Sequence, residues 1–234
     1  MTGVQTCALP ISVAAHERVD RLVGVRTARR EGALDELQLT CEGLLPGDEA
    51  HALRDAAAAG SILAALHGSQ LDGLRTFSAS DQLDAAAAAA EMVTVVVPEL
   101  DDRLQEFLRT LELTRPHLET LVPVHGNFHA RQLIRVNGSF AVLDFDHMHS
   151  APPALDLASY AARLVNGDEE DELSAATTAV GGLVEGYGSR PRGFSWYLAT
   201  SIILRSPLPF QFLKPHWPVR TEKMIGAAEE ALHL

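Results

Sequence analysis

Two short apolar runs flanking the Asn-Gly pair at residues 137–138 constrain the fold of this chain more than any other feature. Residues 133–136 and 140–143 consist mainly of apolar side chains, and Asn-Gly is a preferred sequence for a two-residue type I′ turn. The pattern therefore predicts a β-hairpin. Because a hairpin reverses the chain direction, it should return Asp144, after the second strand, to the side of Gln132, before the first.

The loop before this hairpin carries residue types that suit phosphoryl transfer. In kinase-type sites a base residue lies in a loop, a metal-binding amide follows five positions later, and a metal-binding Asp follows a hairpin. Asn127, Gln132 and Asp144 occupy these three positions. Mg²⁺ prefers oxygen ligands such as carboxylates and amide carbonyls. The spacing therefore predicts that Gln132 and Asp144 hold Mg²⁺, with Asp146 as either a second carboxylate ligand or a turn former.

The same stretch resembles the aminoglycoside phosphotransferase and choline kinase-like family, whose members share the protein-kinase catalytic core. The family pattern is close to His-Gly-Asp-x-His-x-x-x-Asn, then a hairpin, then Ile-Asp-Phe-Asp and a later Asp-Leu-Ala. Residues 125–129 are His-Gly-Asn-Phe-His, residues 143–146 are Leu-Asp-Phe-Asp, and residues 156–158 are Asp-Leu-Ala. Upstream, residues 59–67 are similar to the Gly-x-x-Leu-Ala-x-Leu-His helix of the family, and residues 45–47 to the turn after its hinge strand.

The resemblance implies a fold, a reaction and a set of residue roles. The fold would be α+β and mainly α, namely the C-terminal lobe of a protein-kinase-like fold with a catalytic-loop β-hairpin. The reaction would transfer the γ-phosphate of ATP to a hydroxyl group of a small molecule, with Mg²⁺ as the metal. Asn127 would stand at the base position, Gln132 and Asp144 would bind the metal, and His125 and Asp156 would brace the catalytic loop.

Two residues depart from the family pattern. Gln132 replaces Asn, which keeps the amide carbonyl on a side chain that is one methylene longer. Asn127 replaces the base Asp, and a neutral amide cannot accept the proton of an acceptor hydroxyl. General-base catalysis contributes roughly 10²–10⁴-fold, so we expect a large loss of rate. Phosphoryl transfer depends mainly on positioning and charge stabilisation, so some activity could persist.

The nucleotide-binding residues of such enzymes have no counterpart before the catalytic loop. The only lysines are Lys214 and Lys223, and no Gly-x-Gly-x-x-Gly sequence precedes the loop, although these kinases use a Gly-rich loop and an early-strand Lys. Residues 1–12 resemble the translation of a common sequencing adapter. We therefore expect a non-native leader (1–12), a remnant of the N-terminal lobe and hinge (13–47) and a C-terminal lobe (48–234). With its N-terminal lobe largely missing, the chain should show no measurable ATP-dependent phosphorylation on its own.

Charge and cysteine content limit the partners and the compartment. The formal charge of −12 argues against nucleic acid, which needs clustered Lys and Arg. No apolar run reaches the ~18 residues of a membrane span. Cys7 lies in the expected leader, which leaves Cys41 alone, so a disulfide framework is not indicated and a cytoplasmic location is expected. The expected partner is a small-molecule acceptor with a hydroxyl group.

Helical periodicity dominates the rest of the chain. The pattern predicts a strand over residues 37–41 and helices over residues 48–67, 81–96, 98–113, 153–164, 169–187, 193–205 and 220–232, with a Pro-rich segment at 206–218. Trp196 and Trp217 are interpreted as packing residues. The acidic run at 168–172 is interpreted as a solvated first helical turn, with an acidic rim for a cationic acceptor as the alternative.

Two other functions fit the same residues. A catalytically inactive kinase-like module that binds a ligand or partner would account for Asn127 and the missing lobe. A metal-dependent hydrolase would instead use a cluster of histidines and aspartates as transition-metal ligands, namely His125, His129, Asp144, Asp146, His147 and His149. Spacing counts against the hydrolase, because zinc ligands four residues apart usually lie on a helix and Gly-Asn at residues 126–127 is a poor helix interior.

Overall fold

A computed structural model of the protein describes residues 19, 25–28, 30–34, 39–42, 45–117, 120–168 and 172–234, with the backbone alone for 30–34 and 39–42. The described strands are β1 (Arg30–Leu34), β2 (Leu39–Glu42), β3 (Asp48–Glu49), β4 (Val122–Val124), β5 (Leu133–Val136), β6 (Ser139–Val142) and β7 (His149–Ala151). The described α-helices are α1 (Ala56–His67), α2 (Ala79–Val96), α3 (Asp101–Leu113), α4 (Ala154–Ala162), α5 (Glu172–Tyr187), α6 (Phe194–Arg205), α7 (Leu208–Gln211) and α8 (Trp217–Ala231). The fold is therefore mainly helical with few strands.

The strands form three small antiparallel sheets. β1 pairs with β2, β4 pairs with β7, and the third sheet has the order β3-β5-β6. None of the described helices is both long enough and apolar enough to cross a membrane. The expected leader at residues 1–12 lies outside the described residues, as does much of the expected lobe remnant at 13–47.

The hairpin β5–β6 is present at the predicted position. Its register pairs Leu133 with Val142 and Val136 with Ser139. Asn137 and Gly138 have φ angles of 53° and 81°, and a type I′ turn requires positive φ at both central residues. The second strand begins one residue earlier than predicted, because the two-residue turn leaves Ser139 directly opposite Val136.

The first long helix is shorter than the sequence predicted. Residues 48–67 were expected to be helical throughout, but α1 begins at Ala56. Asp48 and Glu49 instead extend the hairpin sheet by pairing with β5. The carboxylate of Asp55 accepts a hydrogen bond from the backbone N–H of His51 at 2.8 Å and so stabilises the turn before the helix.

Other helix ends also differ from the prediction. α2 starts at Ala79 because Ser78 and Asp81 form a reciprocal capping box. A 3₁₀ turn at Pro98–Leu100 precedes α3. The predicted Pro-rich segment contains α7, and α8 starts at Trp217, three residues before the predicted start. The end of α5 agrees with the prediction, since Gly188 follows it with a φ of 95°. The first residues predicted for that helix, 169–171, lie outside the described residues.

The hydrophobic core lies between the helices and beneath the hairpin. Its largest fully buried side chains include Leu63, Leu104, Phe128, Phe145, Leu157, Tyr160, Leu183 and Tyr197. Trp196 is 3% exposed, and its indole Nε1 donates a hydrogen bond to the backbone oxygen of Leu111 at 2.8 Å. The predicted packing role of Trp196 is therefore confirmed, with its polar atom satisfied.

Glycines allow α1 and α5 to pack with their backbones in contact. A Cβ at Gly60 would lie 2.1 Å from the carbonyl oxygen of Leu183, and one at Gly186 would lie 1.8 Å from the carbonyl oxygen of Ala57. Real Cβ atoms do not approach backbone oxygens this closely. The two helices must therefore separate if either glycine gains a side chain.

We expect Gly186→Ala to lower the free energy of unfolding by about 3 kcal/mol, because overpacking of a close contact typically costs 1–3 kcal/mol. Gly181 lies in the same helix, and a Cβ there would meet nothing within 4 Å. Gly181→Ala should therefore raise the free energy of unfolding by about 0.5–1 kcal/mol, the helix-propensity gain alone. Urea unfolding of both variants measures the difference. Equal effects of the two substitutions would show that α1 and α5 do not pack this closely.

Candidate functional site

The loop at residues 125–132 connects β4 to β5 and is held in place by its neighbours. Gly126 has a φ of 80°, and a Cβ there would lie 2.1 Å from the carbonyl oxygen of His147. Glycine is therefore needed both for the backbone conformation and for the close approach of the two segments. The loop ends in a 3₁₀ turn, Ala130–Gln132, which leads directly into β5.

Asp156, in the first turn of α4, fixes the start of this loop. Its carboxylate is fully buried and accepts hydrogen bonds from the backbone N–H groups of His125 and Gly126 at 2.7 and 2.9 Å. Nε2 of His67, the last residue of α1, lies 3.1 Å from Oδ2 of the same carboxylate. Burial raises the pKa of Asp156, but the hydrogen bond and charge of His67, and the contacts of His125, outweigh this and lower it.

His125 joins the loop to the segment after the hairpin. Its ring is fully buried, and its Nε2 lies 2.8 Å from the backbone oxygen of Leu143. The rings of Phe128 and Phe145 pack against it, with centroid distances of 5.6 and 5.2 Å. The imidazole therefore contacts both chain segments that carry the predicted metal ligands.

The hairpin brings Gln132 and Asp144 together. Nε2 of Gln132 donates a hydrogen bond to Oδ2 of Asp144 at 2.9 Å, and the backbone N–H of Leu143 donates to the oxygen of Gln132 at 2.9 Å. Asp144 has a φ of 62°, a left-handed conformation that is uncommon for a residue other than glycine. Two residues on, Oδ1 of Asp146 is buried without a hydrogen-bond partner among the described residues.

These oxygen atoms fit Mg²⁺ better than a transition metal. Mg²⁺ is usually bound by one or two carboxylates together with waters and substrate phosphates, and Asp144, Asp146 and the amide of Gln132 offer such oxygens. Within the described part of the chain, no group of three or more His, Cys, Asp and Glu residues could hold a metal ion. Nδ1 of His149 lies 2.5 Å from the backbone oxygen of His147 and does not point toward a metal site shared with the other histidines and aspartates. The histidine-aspartate cluster expected for a hydrolase is therefore not assembled there.

Asn127 faces an arginine that the sequence analysis did not identify. Oδ1 of Asn127 accepts a hydrogen bond from Nη2 of Arg163 at 2.6 Å. Arg163 follows α4, and Arg205 ends α6. Nη2 of Arg205 donates to Oδ1 of Asn166 at 3.1 Å, and Nδ2 of Asn166 donates to the backbone oxygen of Arg163 at 3.2 Å. A chain of contacts therefore links Asn127 to both arginines.

Burial lowers the pKa values of the ionisable groups around this chain of contacts. Burial, followed by the charge of Arg163, lowers the pKa of Arg205 to about 10. Burial, followed by the charge of Arg163, also lowers the pKa of His129 to about 3. His129 is therefore neutral at physiological pH, whereas both arginines remain charged.

A cavity of about 740 Å³ opens beside Asn127. Its walls come from α2, α4, α6 and the segment between β6 and β7. The polar and charged side chains that line it are Arg75, Thr76, Asp81, Gln82, Asp84, Asn127, Asp146, His147, His149, Ser159, Arg163, Ser201 and Arg205. A cavity of this size can hold a small molecule.

Asp168 and Glu172, the two described residues of the acidic run at 168–172, do not line this cavity. The carboxylate of Glu172 accepts hydrogen bonds from the backbone N–H groups of Asn166, Gly167 and Asp168. Asp168 forms an ion pair with Arg220. Glu172 therefore holds the backbone that leads into α5, and Asp168 pairs with a residue of α8, while 169–171 lie outside the described residues.

Comparison with known proteins identifies the fold. The model of a family described as the phosphotransferase enzyme family matches residues 19–193. No curated protein matches the chain. The structure of a choline/ethanolamine kinase family protein from Mesorhizobium loti is similar, with a TM-score of 0.61 at 12% identity. The alignment covers 95% of this chain and 76% of that protein.

Two further similar structures contain ligands. Glucosamine kinase in complex with glucosamine, ADP and inorganic phosphate has a TM-score of 0.61 at 20% identity, covering 95% of this chain and 72% of its own. Spectinomycin phosphotransferase in complex with ADP and spectinomycin has a TM-score of 0.57 at 12% identity, covering 96% of this chain and 82% of its own. At these identities the similarity shows the fold, which is that of the kinase-like phosphotransferases.

Proposed function

Because this chain belongs to the phosphotransferase enzyme family, we propose that its site transfers the γ-phosphate of ATP to a hydroxyl group of a small molecule. The observation that carries the proposal is the hydrogen bond between Gln132 and Asp144. It brings an amide and a carboxylate, which the sequence separates by a hairpin, into reach of one divalent ion. In this proposal residues 48–234 form the lobe that holds the metal and the acceptor.

Each side chain has a distinct task in the proposed reaction. Asp144 and Gln132 would hold Mg²⁺, and Asp146 would add a further ligand through Oδ1, which is buried without a hydrogen-bond partner among the described residues. A Mg²⁺ ion held there would supply positive charge that stabilises the transferring phosphoryl group. Asn127 orients the acceptor hydroxyl by hydrogen bonding but cannot remove its proton. Asp156 and His125 keep the loop in place through buried contacts.

The identity of the donor and the acceptor class is supported by the related structures. Two of them contain ADP together with a small molecule, glucosamine in one and spectinomycin in the other. The cavity beside Asn127 has space for a molecule of that size. We therefore propose that the acceptor binds in this cavity with its hydroxyl group near Asn127.

Metal binding tests the proposal without requiring turnover. We expect Mn²⁺, used as a paramagnetic substitute for Mg²⁺, to bind the chain and to be displaced by excess Mg²⁺. Asp144→Asn should weaken Mn²⁺ binding at least about tenfold, because a carboxylate ligand becomes a neutral amide. Electron paramagnetic resonance of free Mn²⁺ measures the dissociation constant.

Asp101→Asn is the matched control, because Asp101 is an exposed carboxylate on α3 outside the cavity. It should leave Mn²⁺ binding unchanged. If Asp144→Asn and Asp101→Asn bind Mn²⁺ equally well, the proposed metal site is wrong.

A second candidate function is a kinase-like module that binds its ligand without catalysis. The specific observation in its favour is that Oδ1 of Asn127 already accepts a hydrogen bond from Arg163 and is an amide oxygen. Such a module would bind Mg²⁺ and a small molecule but release no ADP. The effect of restoring a carboxylate at residue 127, argued in the Discussion, separates the two functions.

A further inference from the structure

We propose that the acceptor carries an anionic group, a carboxylate or a phosphate ester, and that Arg163 and Arg205 bind this group within the cavity. The two residues are called the arginine pair below. That the bound molecule is a phosphoryl acceptor rests on the proposed function, whereas the binding of its anionic group does not depend on phosphoryl transfer.

The arginine pair has no carboxylate partner among the residues that the structure describes. Both residues line the cavity and are half-buried. The side-chain hydrogen bonds of the pair go to neutral amides, from Arg163 to Asn127 and from Arg205 to Asn166. Among the described residues, neither arginine lies within ion-pair distance of a carboxylate. In addition, Nε of Arg205 is buried and has no hydrogen-bond partner within the described part of the chain.

Cations removed from water without a counterion destabilise a protein, so such groups are usually paired. Glu172 acts electrostatically on Arg205, but its carboxylate is engaged with the backbone N–H groups of residues 166–168. Planar guanidinium groups match the geometry of carboxylate and phosphate oxygens and bind them through two parallel hydrogen bonds. An oxyanion on the ligand would supply the missing partner.

The other charges of the cavity do not neutralise the pair. Asp81 is exposed and accepts hydrogen bonds from the backbone N–H and hydroxyl of Ser78, and Asp84 is exposed on α2. Asp146 belongs to the proposed metal site, where Mg²⁺ would compensate its charge. Arg75, also exposed, adds a further positive charge at the cavity. The half-buried part of the cavity near Asn127 is therefore positively charged.

Four probes with matched scaffolds test the inference by isothermal titration calorimetry on the full chain without nucleotide. They are inorganic phosphate, glycerol 3-phosphate, glycerate and glycerol. We expect phosphate and at least one of the two anionic glycerol derivatives to bind, and glycerol to bind at least tenfold more weakly. If glycerate is the one glycerol derivative that binds, the anionic group is a carboxylate. If glycerol 3-phosphate is the one that binds, the anionic group is a phosphate ester.

Substitutions then assign the binding to the arginine pair. Arg205→Gln and Arg163→Gln should each weaken anion binding at least tenfold, while Arg205→Lys, which keeps the charge but loses the guanidinium fork, should be intermediate. Arg109→Gln removes an exposed charge from α3 and should leave anion binding unchanged. Circular dichroism confirms that each variant is folded, and the lysine variant keeps the test valid if a glutamine variant does not fold.

The inference is wrong if none of the three anions binds, or if Arg205→Gln and Arg205→Lys both bind anions as the unmodified chain does. Phosphorylation of a neutral acceptor at a rate unchanged by Arg205→Gln would also overturn it and leave the proposed function standing. In a chain extended at its N-terminus by the nucleotide-binding lobe of a related phosphotransferase, anion binding that depends on the arginine pair without any phosphate transfer would overturn the proposed function and leave this inference standing.

Discussion

Replacing Asp156 with alanine should lower the free energy of unfolding by about 4 kcal/mol, since two buried backbone N–H groups and the imidazole of His67 lose their hydrogen-bond partner. The carboxylate is fully buried and contacts His125, Gly126 and His67. Its removal leaves two backbone N–H groups without acceptors, and each unsatisfied buried donor costs about 1–3 kcal/mol. Urea unfolding followed by circular dichroism measures the loss.

Asp84→Ala is the control, because Asp84 is an exposed carboxylate on α2 and its loss should change stability by less than about 0.5 kcal/mol. Asp156→Asn should be intermediate between alanine and the original residue, since it keeps one acceptor oxygen but places a donor opposite the other N–H. A loss below about 1 kcal/mol for Asp156→Ala would contradict a bracing role for this residue.

The same carboxylate makes stability depend on pH. Burial alone would raise the pKa of Asp156, but the hydrogen bond and charge of His67 and the contacts of His125 lower it in the folded state. A group whose folded pKa is lowered stabilises the protein above its unfolded pKa of about 3.9, and this stabilisation is lost as the pH falls below that value toward the folded pKa. The difference in unfolding free energy between the original chain and Asp156→Asn should therefore shrink as the pH falls below about 4. A difference that grew on acidification would contradict this sign.

Local sequence was sufficient to predict the features that depend on neighbouring residues. The hairpin and its turn follow from Asn137 and Gly138, which favour positive φ. The same turn explains why the sequence could predict that Gln132 and Asp144 lie together. Their metal-binding roles remain a prediction, because a hydrogen bond between two side chains does not identify the ion that they would hold.

Features that depend on distant parts of the chain were not predicted. The start of α1 was placed too early because residues 48–49 look helical locally, yet they pair with β5, which lies far along the chain. His67 was noted only as the end of a helix motif, although it contacts Asp156. Arg163 and Arg205 gave no signal, since cations are common at the C-terminal ends of helices. Only the packing of α4 and α6 around the cavity reveals them as one group.

Asn127→Asp should increase the rate of phosphoryl transfer by about 10²-fold, since general-base catalysis contributes roughly 10²–10⁴-fold. The variant is best tested in a chain extended at its N-terminus by the nucleotide-binding lobe of a related phosphotransferase, because no Gly-rich loop or early Lys precedes residue 125. We expect the lower end of the range. Arg163 contacts residue 127, and a neighbouring cation lowers the pKa of a carboxylate, which keeps it ionised but weakens it as a base.

Asn166→Asp is the matched control, because it adds a carboxylate next to Arg205 without placing one at residue 127. The rate of ADP release in the presence of an acceptor, measured with Mg²⁺ and ATP, should increase for Asn127→Asp and not for Asn166→Asp. If both variants increase the rate equally, the gain comes from compensating the arginine charges and not from a base. If Asn127→Asp leaves the rate unchanged or lowers it, residue 127 is not the base position, and a module that binds without catalysis becomes the better description.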